Sequence, residues 1–478
     1  MKRYDEHPFL LGANPYMPLW EHVPDGEPRV FCVNGKKRVY VYGSHDTLKN
    51  EYCGRDYVVW SAPAENLNDW TCHGVCYRAQ DNSVLFAPDV VEKDGVYYLY
   101  AAEQRGSRIM VARSSSPEGP FTDPVLTQLG FDPGVLVDDD GRVYAYWGFC
   151  GSFCAELQPD MASIVPGTLH ENPIRHCMAP WSRNDGFDDD REGFFEASSP
   201  RKVMGKYIYI YSRRHDKPVP ELGVTGENNG FLSYMWSDRP LEGFREGGDI
   251  SFNGGEILKN PDGTGVMTYR WGNNHGSIAE VNGQWYVFYH RQTGTDEYSR
   301  QAMAEPVEVA LNPDGKPLIG RILRKEGVPF ASVPVEMTSQ GMMTGGMDAS
   351  FRISAGRACH LYGGKENAYI LPVYEKKADA SAPVVNIYSG LTAGYRYVRF
   401  GETGAVSVTL SLLAKQKLTV SMRLDEHDGP LIARAELLPG KQEAVLPLFA
   451  PVKGRHAVYF AFEGGEGDLA VFDGFTFD

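Results

Sequence analysis

The sequence predicts an all-β protein, a five-bladed β-propeller followed by a β-sandwich of jelly-roll type, on three observations. Five short aromatic and β-branched runs recur along the first two thirds of the chain, most introduced by a Gly within a turn, and helical periodicity is nearly absent. The runs repeat at roughly 45 to 80 residues, which suits propeller blades better than a sandwich, whose turn signals fall about every 8 to 12 residues. After about residue 325 the texture changes to loop-rich and then to a second, differently spaced set of strands.

The five runs are "RVYVYGS" from 38, "VYYLYAA" from 96, "RVYAYWG" from 142, "KYIYIYS" from 206 and "QWYVFYH" from 284. Several are followed by a second strand closing in a similar phrase, as in "VVWSAPAENLNDW", "VARSSSPEGPF" and "YMWSDRPLEGF". Five such units predict five blades and a propeller domain over residues 1–325. Beyond the loop-rich "KEGVPFASVPVEMTSQGMMTGGMDASF", alternating strands such as "GAVSVTLSLL", "KLTVSMRL" and "HAVYFAF" predict a sandwich domain over residues 326–478. A chain of 478 residues is long enough for about two such cores.

Charge narrows the partners. With 47 Lys plus Arg against 62 Asp plus Glu, the formal charge of −15 disfavours phosphate backbones and anionic lipid surfaces, so neither nucleic acid nor membrane is expected as a partner. A neutral or cationic ligand fits better. The first twenty residues carry no apolar run of signal-peptide type and no segment approaches the length of a membrane-spanning helix, so the expected location is the cytoplasm. Eight cysteines at 32, 53, 72, 76, 150, 154, 177 and 359 then read as reduced thiols. Two C-x-x-x-C pairs, Cys72 with Cys76 and Cys150 with Cys154, read as buried thiols rather than a zinc site.

A propeller gathers residues from distant blades on its axis, so polar groups at the start of blade strands are the place to look for chemistry. Three acids stand there in apolar or Pro/Gly settings. Asp25 and Glu27 lie in "PDGEPRVF", Asp132 in "GFDPGVLVDDDGRVYAYWG", and Glu196 in "GFFEASSPRKVMGKYIYIYS". Two separated carboxylates suffice for inverting glycoside hydrolysis: one protonates the leaving oxygen while the other activates a water about 6.5 to 9.5 Å away across the ring. An acid that must keep its proton near neutrality needs burial or a neighbouring negative charge. Phe194 and Phe195 can supply the first for Glu196 and Asp132 the second, with Ala197, Ser198 and Ser199 leaving room for a sugar. The Asp-rich "VDDDG" at 137–141 reads as a hairpin turn.

At these residues the chain resembles the family 43 glycoside hydrolases, five-bladed propellers that remove arabinofuranosyl or xylosyl units from plant polysaccharides. The resemblance spans roughly residues 10 to 325 and rests on "PDGEPRVFCVNGKKRVYVYGSHD", "LFAPDVV", "FDPGVLVDDDGRVY", "FFEASSPRKVMGKY" and "NNHGSIAEVNGQWYVFYHR", in the family's order. The C-terminal region is similar to family 6 carbohydrate-binding modules, mainly through "GYRYVRFG" and "HAVYFAFEGGEGDLAVFDGFTF".

The resemblance implies Asp25 as general base, Asp132 as the residue that orients and tunes the acid, and Glu196 as general acid. Many family members read Asp-Pro at the base, whereas here Asp25 is followed by Gly-Glu-Pro, so Glu27 also precedes a proline. Residues two apart on an extended strand share a face, which leaves either open as the base; anchoring on "RVYVYGSHD" favours Asp25. The resemblance further implies His275 on the axis facing a bound calcium or a water cluster, Arg291 hydrogen-bonding sugar hydroxyls, and Asp89 contacting the sugar or its surroundings. Phe31 and Trp271 are candidate stacking faces. No organic cofactor is expected, and calcium, which prefers oxygen ligands, would meet His275 mostly through water. The implied activity is an inverting exo-glycosidase, an α-L-arabinofuranosidase or β-xylosidase acting on oligosaccharides. The alternatives are a glycosidase for another furanoside such as galactofuranose, and a non-catalytic glycan-binding propeller.

Overall fold

The fold is described from a computed structural model covering residues 12–174, 193–215, 218–224, 226, 228–325, 328–377 and 380–478. Cys177 and the first eleven residues lie outside these; Cys32, Cys53, Cys72, Cys76, Cys154 and Cys359 are free thiols. No helix among the described residues is long and apolar enough to cross a membrane.

Five antiparallel sheets form the propeller, each a meander of consecutive strands. The first blade is β1 (Glu27–Val33), β2 (Lys36–Tyr42), β3 (Tyr57–Pro63) and β4 (Thr71–Tyr77). The second is β5 (Phe86–Lys93), β6 (Val96–Ala102), β7 (Arg108–Ser114) and β8 (Thr122–Leu126). The third is β9 (Gly134–Val137), β10 (Val143–Gly148), β11 (Ser152–Leu157) and β12 (His170–Glu171). The fourth is β13 (Phe194–Val203), β14 (Lys206–His215), β15 (Asn228–Ser237) and β16 (Arg245–Phe252). A small hairpin, β17 (Ile257–Lys259) with β18 (Gly265–Met267), precedes the fifth: β19 (Ser277–Val281), β20 (Gln284–Arg291), β21 (Gln301–Leu311) and β22 (Pro317–Lys325), extended by β23 (Val328–Val333).

The aromatic runs that reveal the repeat are the second strands of the blades, not the innermost ones. The innermost are the first strands, which touch one another around the ring: β1 with β5, β5 with β9, β9 with β13, and β19 with β1. Glu196 therefore lies on the innermost strand of its blade, β13, while "KYIYIYS" is β14 behind it. Four of the five inner hairpins turn on two successive left-handed residues, Asn34–Gly35, Asp94–Gly95, Met204–Gly205 and Asn282–Gly283. That backbone suits a two-residue turn whose twist matches the strands. In the third blade "VDDDG" makes a longer turn, closed by Asp138 N donating to Arg142 O (2.8 Å).

The C-terminal region is a β-sandwich whose two layers are joined by long bent strands. Leu391–Ala414 and Gly440–Gly464 pair through residues 391–401 beside Leu418–Leu424, and through residues 405–414 beside Ala470–Phe477. Phe460, Phe472, Phe475 and Tyr395 pack edge or tilt between the layers. The expected boundary at 325/326 falls between β22 and β23, which pair, so the propeller's strand ladder runs on to Val333. Buried side chains of blades four and five, among them Ile250 and Met303, continue into the sandwich core through Met337 and Ile353.

Candidate active site

The site is built at the start of the inner strands, where the chain enters the ring. A cavity of about 420 Å³ opens there, lined by Asp25, Asp132, Glu196, His275 and Arg300, with Tyr52, Cys53, Asn229 and Asn273 and a wall of Phe86, Phe131, Phe149 and Phe195. The rings of that wall touch in series, Phe86–Phe131 at 6.0 Å, Phe131–Phe149 at 5.4 Å and Phe149–Phe195 at 5.1 Å.

Each acid is aimed by a left-handed backbone residue. Asp25 itself has φ 58°, Asp132 has φ 48°, and Ala197, directly after Glu196, has φ 69°. Non-glycine residues rarely adopt this region, and such outliers cluster at functional sites. At Asp25 it breaks the alternation that would have put Asp25 and Glu27 on one face. At Glu196 a bulge interrupts the pairing of β13 with β14 on both sides, and bulges re-aim side chains. Phe194 and Phe195 consequently part company: Phe194 packs on Tyr209 and Tyr211 in the core, and Phe195 alone joins the cavity wall.

The two acids at the ends of this site are pushed in opposite directions. Burial, then the negative charge of Asp25, raises the Glu196 carboxyl to about 7. Burial is the strongest influence on Asp25 and disfavours its ionised form, but the Arg300 guanidinium, 3.0 Å from its Oδ1, and His290, His275 and the Ser44 hydroxyl together hold that carboxyl below its ordinary value. Asp132 is raised well above its ordinary value by burial and by the charges of Glu196 and Asp25. Its Oδ2 accepts the Ala197 N–H (3.2 Å) and lies 3.6 Å from His275 Nδ1. Burial keeps His275 and His290 neutral, the latter lowered to about 3. His290 Nδ1 accepts the Asp25 N–H (3.2 Å) while its Nε2–H donates to Asn273 O (2.7 Å), which fixes its tautomer. The arrangement thus places one acid that holds a proton near neutrality and one ionised base in the same cavity.

Arg300 is the residue that the sequence reading missed. Asp46, of "GSHD", grips it through both oxygens: Oδ1 accepts from Nη2 (2.9 Å), and Oδ2 accepts from Nε and the backbone N–H (3.0 Å each). Nothing in "YSRQAM" marks it, but a buried Asp next to a recognised motif needs a cation. The phenylalanine wall had a clearer signal. Phe131 and Phe195 each directly precede an acid, and Phe86 stands in "LFAPD".

Several expected contacts lie elsewhere. Glu27 is buried with Oε2 accepting Arg201 Nη2 at 2.7 Å. Asp89 takes Arg29 through both oxygens (2.7 and 2.6 Å) and the Val135 N–H at 2.7 Å, so it joins blades one to three rather than facing the cavity. Phe31 sits farther along β1, its ring 5.0 Å from Tyr97 and 5.8 Å from Tyr40, between blades one and two. Arg291 is fully buried and points into the sandwich, bonding Gln301 Oε1 (3.1 Å), Gly356 O (2.6 Å) and Ala358 O. Trp271 lines a neighbouring cavity. Ser198 bonds Tyr209 Oη (3.0 Å) on the second strand of its own blade and Ser199 bonds Ser277 Oγ (2.6 Å) on the inner strand of blade five, so they tie strands together instead of making room for a sugar.

Among the described residues no group of three or more His, Cys, Asp or Glu is arranged to hold a metal ion. The carboxylates whose charge acts on His275, Asp25, Glu27 and Asp89, are already paired with arginines. These residues do not fit a calcium held by direct protein ligands at His275.

Comparison with known proteins places this geometry in a family. The model of the glycosyl hydrolases family 43 matches residues 27–173. A xylosidase/arabinosidase of Thermoclostridium stercorarium is 32% identical, the alignment covering 96% of this chain and 98% of that one. An arabinoxylan arabinofuranohydrolase of Paenibacillus polymyxa is 28% identical over 98% of this chain and 73% of its own. The solved family 43 arabinoxylan arabinofuranohydrolase of Bacillus subtilis, in complex with cellotetraose, is 23% identical, with 100% of this chain and 99% of that chain covered and a TM-score of 0.47. From the near full-length match to the Thermoclostridium protein, the chain belongs to glycoside hydrolase family 43.

Proposed function

We propose that the protein is an inverting exo-glycosidase releasing terminal arabinofuranosyl or xylosyl units from plant-derived oligosaccharides. The observation that carries this reading is the opposed pair in one cavity, Glu196 raised to about 7 and Asp25 held down by Arg300. The names of the relatives, xylosidase/arabinosidase and arabinoxylan arabinofuranohydrolase, support the sugar class. A cavity of about 420 Å³, toward the small end of ligand pockets, suits a terminal sugar.

In this mechanism a water held by Asp25 attacks the anomeric carbon and gives its proton to that carboxylate. Glu196 donates its proton to the glycosidic oxygen as the bond to the anomeric carbon breaks. Asp132 acts on Glu196 rather than on the sugar: its Oδ2 accepts the N–H of Ala197, the residue directly after the acid, and so aims it. The phenylalanine wall excludes water and keeps the acid protonated. Calcium, expected on the axis, enters no step; with Glu27 and Asp89 taken by arginines, His275 would meet an ion only across water.

The test is a panel of arabinofuranosides, xylosides and galactofuranosides with alkyl or sugar leaving groups, which need protonation to depart, with the wild type and Glu196→Gln. Hydrolysis of arabinofuranosides or xylosides that falls by about 10²- to 10⁴-fold in the variant is the expected result. Unchanged hydrolysis would remove Glu196 from the acid role. Cleavage confined to galactofuranosides would reassign the sugar, and a silent panel would leave a glycan-binding protein.

A further inference from the structure

The sandwich reaches back to the propeller through residues 369–376. At the root of this strap Tyr369–Ile370 pairs with Val384–Val385 in the sandwich, and Ile370 is fully buried in the core that the two domains share. Beyond the root the strap bonds two segments of the propeller. The first is 292–300, the connection from β20 to β21, which ends on Arg300. Ile370 N donates to Thr293 O (2.9 Å), Thr295 Oγ1 donates to Ile370 O (3.1 Å), and the Tyr374 hydroxyl reaches that of Ser299, the residue before Arg300.

The second segment carries Asp46. His22 Nε2–H donates to Val373 O (3.1 Å), and the rings of His22 and Tyr374 lie 5.1 Å apart. Asp46 N donates to His22 O (2.9 Å), and Lys49 Nζ sits 4.1 Å from the centre of the Tyr374 ring. Burial, then the charges of Asp296 and Asp46, pushes the Tyr374 hydroxyl up to about 12, so it stays a neutral hydrogen-bonding group between the two segments.

Those segments are the ones that must stay in register for the base to work. The Arg300 N–H and side chain both bond Asp46, and Nη1 of the same guanidinium lies 3.0 Å from Asp25 Oδ1. The pull of a charge falls with distance, and a shift of about 1 Å from a change far from the chemistry can cost about 10²-fold in rate. We propose that Tyr374 is a positioning residue for the general base, the tip of a strap by which the sandwich seats Arg300 against Asp25. This rests on the glycosidase reading above and gives the second domain a part in the reaction without a contact to sugar.

The test compares full-length wild type, Tyr374→Ala and Tyr374→Phe by the pH dependence of kcat/KM on an aryl α-L-arabinofuranoside and an aryl β-xyloside. Asp25 is faced by Arg300, His275, His290, Asp132, Glu196 and the Cys53 thiol, and Tyr374 bears on that set through Ser299 and the Asp46 segment. A looser Arg300 favours protonated Asp25, so the acid limb is expected to move up by about one pH unit in Tyr374→Ala, the low end of what a neighbouring arginine gives a carboxylate. Tyr374→Phe, which keeps the ring and guards against loss of folding, is expected to move it part of the way. Added to Arg300→Met, Tyr374→Ala is expected to shift the limb no further, as for residues acting through one contact. Hydrogen exchange over residues 293–301 is expected to quicken by about ten-fold in Tyr374→Ala, from the loss of about one hydrogen bond's worth of local stability. An acid limb unmoved in both single variants, even with a lowered Tm, would make the strap merely structural, and a shift that adds in full to that of Arg300→Met would show another route to Asp25; either overturns the proposal. Should the wild type cleave neither substrate, the hydrolytic reading falls by itself, and the exchange rate over 293–301 decides whether Tyr374 seats Arg300.

Discussion

Arg300 Nη1 lies 3.0 Å from Asp25 Oδ1, and the same guanidinium is clamped through Nε and Nη2 by Asp46, so three side chains from opposite ends of the propeller sequence form one buried charge chain. The blade that closes the ring thereby fixes the charge of a residue in the blade that opens it. This contact is the largest of those that keep Asp25 ionised against the effect of burial.

Replacing Arg300 by Met removes the cation that favours ionised Asp25, so the Asp25 pKa rises. The acid limb of the kcat/KM profile is expected to move to higher pH, and Arg300→Lys to restore part of the shift. Asp46 would be left buried and unpaired in the Met variant, a loss of about 3–5 kcal/mol of stability by analogy with broken buried pairs. A pH–rate series and thermal melts on both variants read the two effects separately.

The alkaline limb belongs to the acid. Glu196 must be protonated to act, so activity falls as pH rises through about 7. Because Glu196 and Asp132 interact, that limb reports the pair rather than one residue. With an aryl glycoside whose leaving group needs no protonation, Glu196→Gln is expected to regain much of its rate and to lose the alkaline limb. A limb that persists in Glu196→Gln would assign it to another group.

Arg291→Met separates a sugar contact from a structural one. The buried carbonyls of Gly356 and Ala358 would lose their donors, at about 1–3 kcal/mol for each unsatisfied group. The effect is expected in Tm, with KM for an aryl glycoside the smaller change. A large rise in KM at unaltered Tm would return Arg291 to the sugar.

His45 offers a stability test away from the cavity. Burial opposes its protonation, but hydrogen bonds to Asp56 (2.6 Å) and Glu21 (3.0 Å) prevail and raise it to about 9. The folded state therefore favours protonated His45. This stabilisation is complete below an unfolded pKa of about 6.5 and is lost as pH rises through about 9, on the order of 3 kcal/mol in all. Comparing melts of wild type and His45→Gln across pH 6 to 10 is expected to show the gap closing at the alkaline end; a constant gap would contradict it.

The repeat was legible because aromatic second strands such as "KYIYIYS" are buried on both faces and read as unbroken runs. The inner strands that carry the chemistry are less regular. Glu196 stands on a bulge and Asp25 outside β1 altogether, so their placement came from motif order and not from strand period. The choice between Asp25 and Glu27 needed the left-handed backbone at Asp25, which no side-chain pattern announces in "PDGEP". Arg291 misled because strand position says where a residue starts and not which domain its long side chain reaches. Trp271 could be named as a candidate stacking face but not placed in a second cavity, since a third of that cavity's lining, Leu361, Tyr362, Gly363, Asn367 and Ala368, comes from about ninety positions away.

The central claim, that Asp25 activates water while Glu196 protonates the leaving oxygen, is tested most directly by the stereochemistry of the first-formed product. Proton NMR of wild-type hydrolysis of an aryl α-L-arabinofuranoside should show the β-anomer appearing first, with the α-anomer following by mutarotation. An α-anomer formed first would mean a covalent intermediate and a carboxylate acting as nucleophile, and the assignment of Asp25 as general base would be wrong.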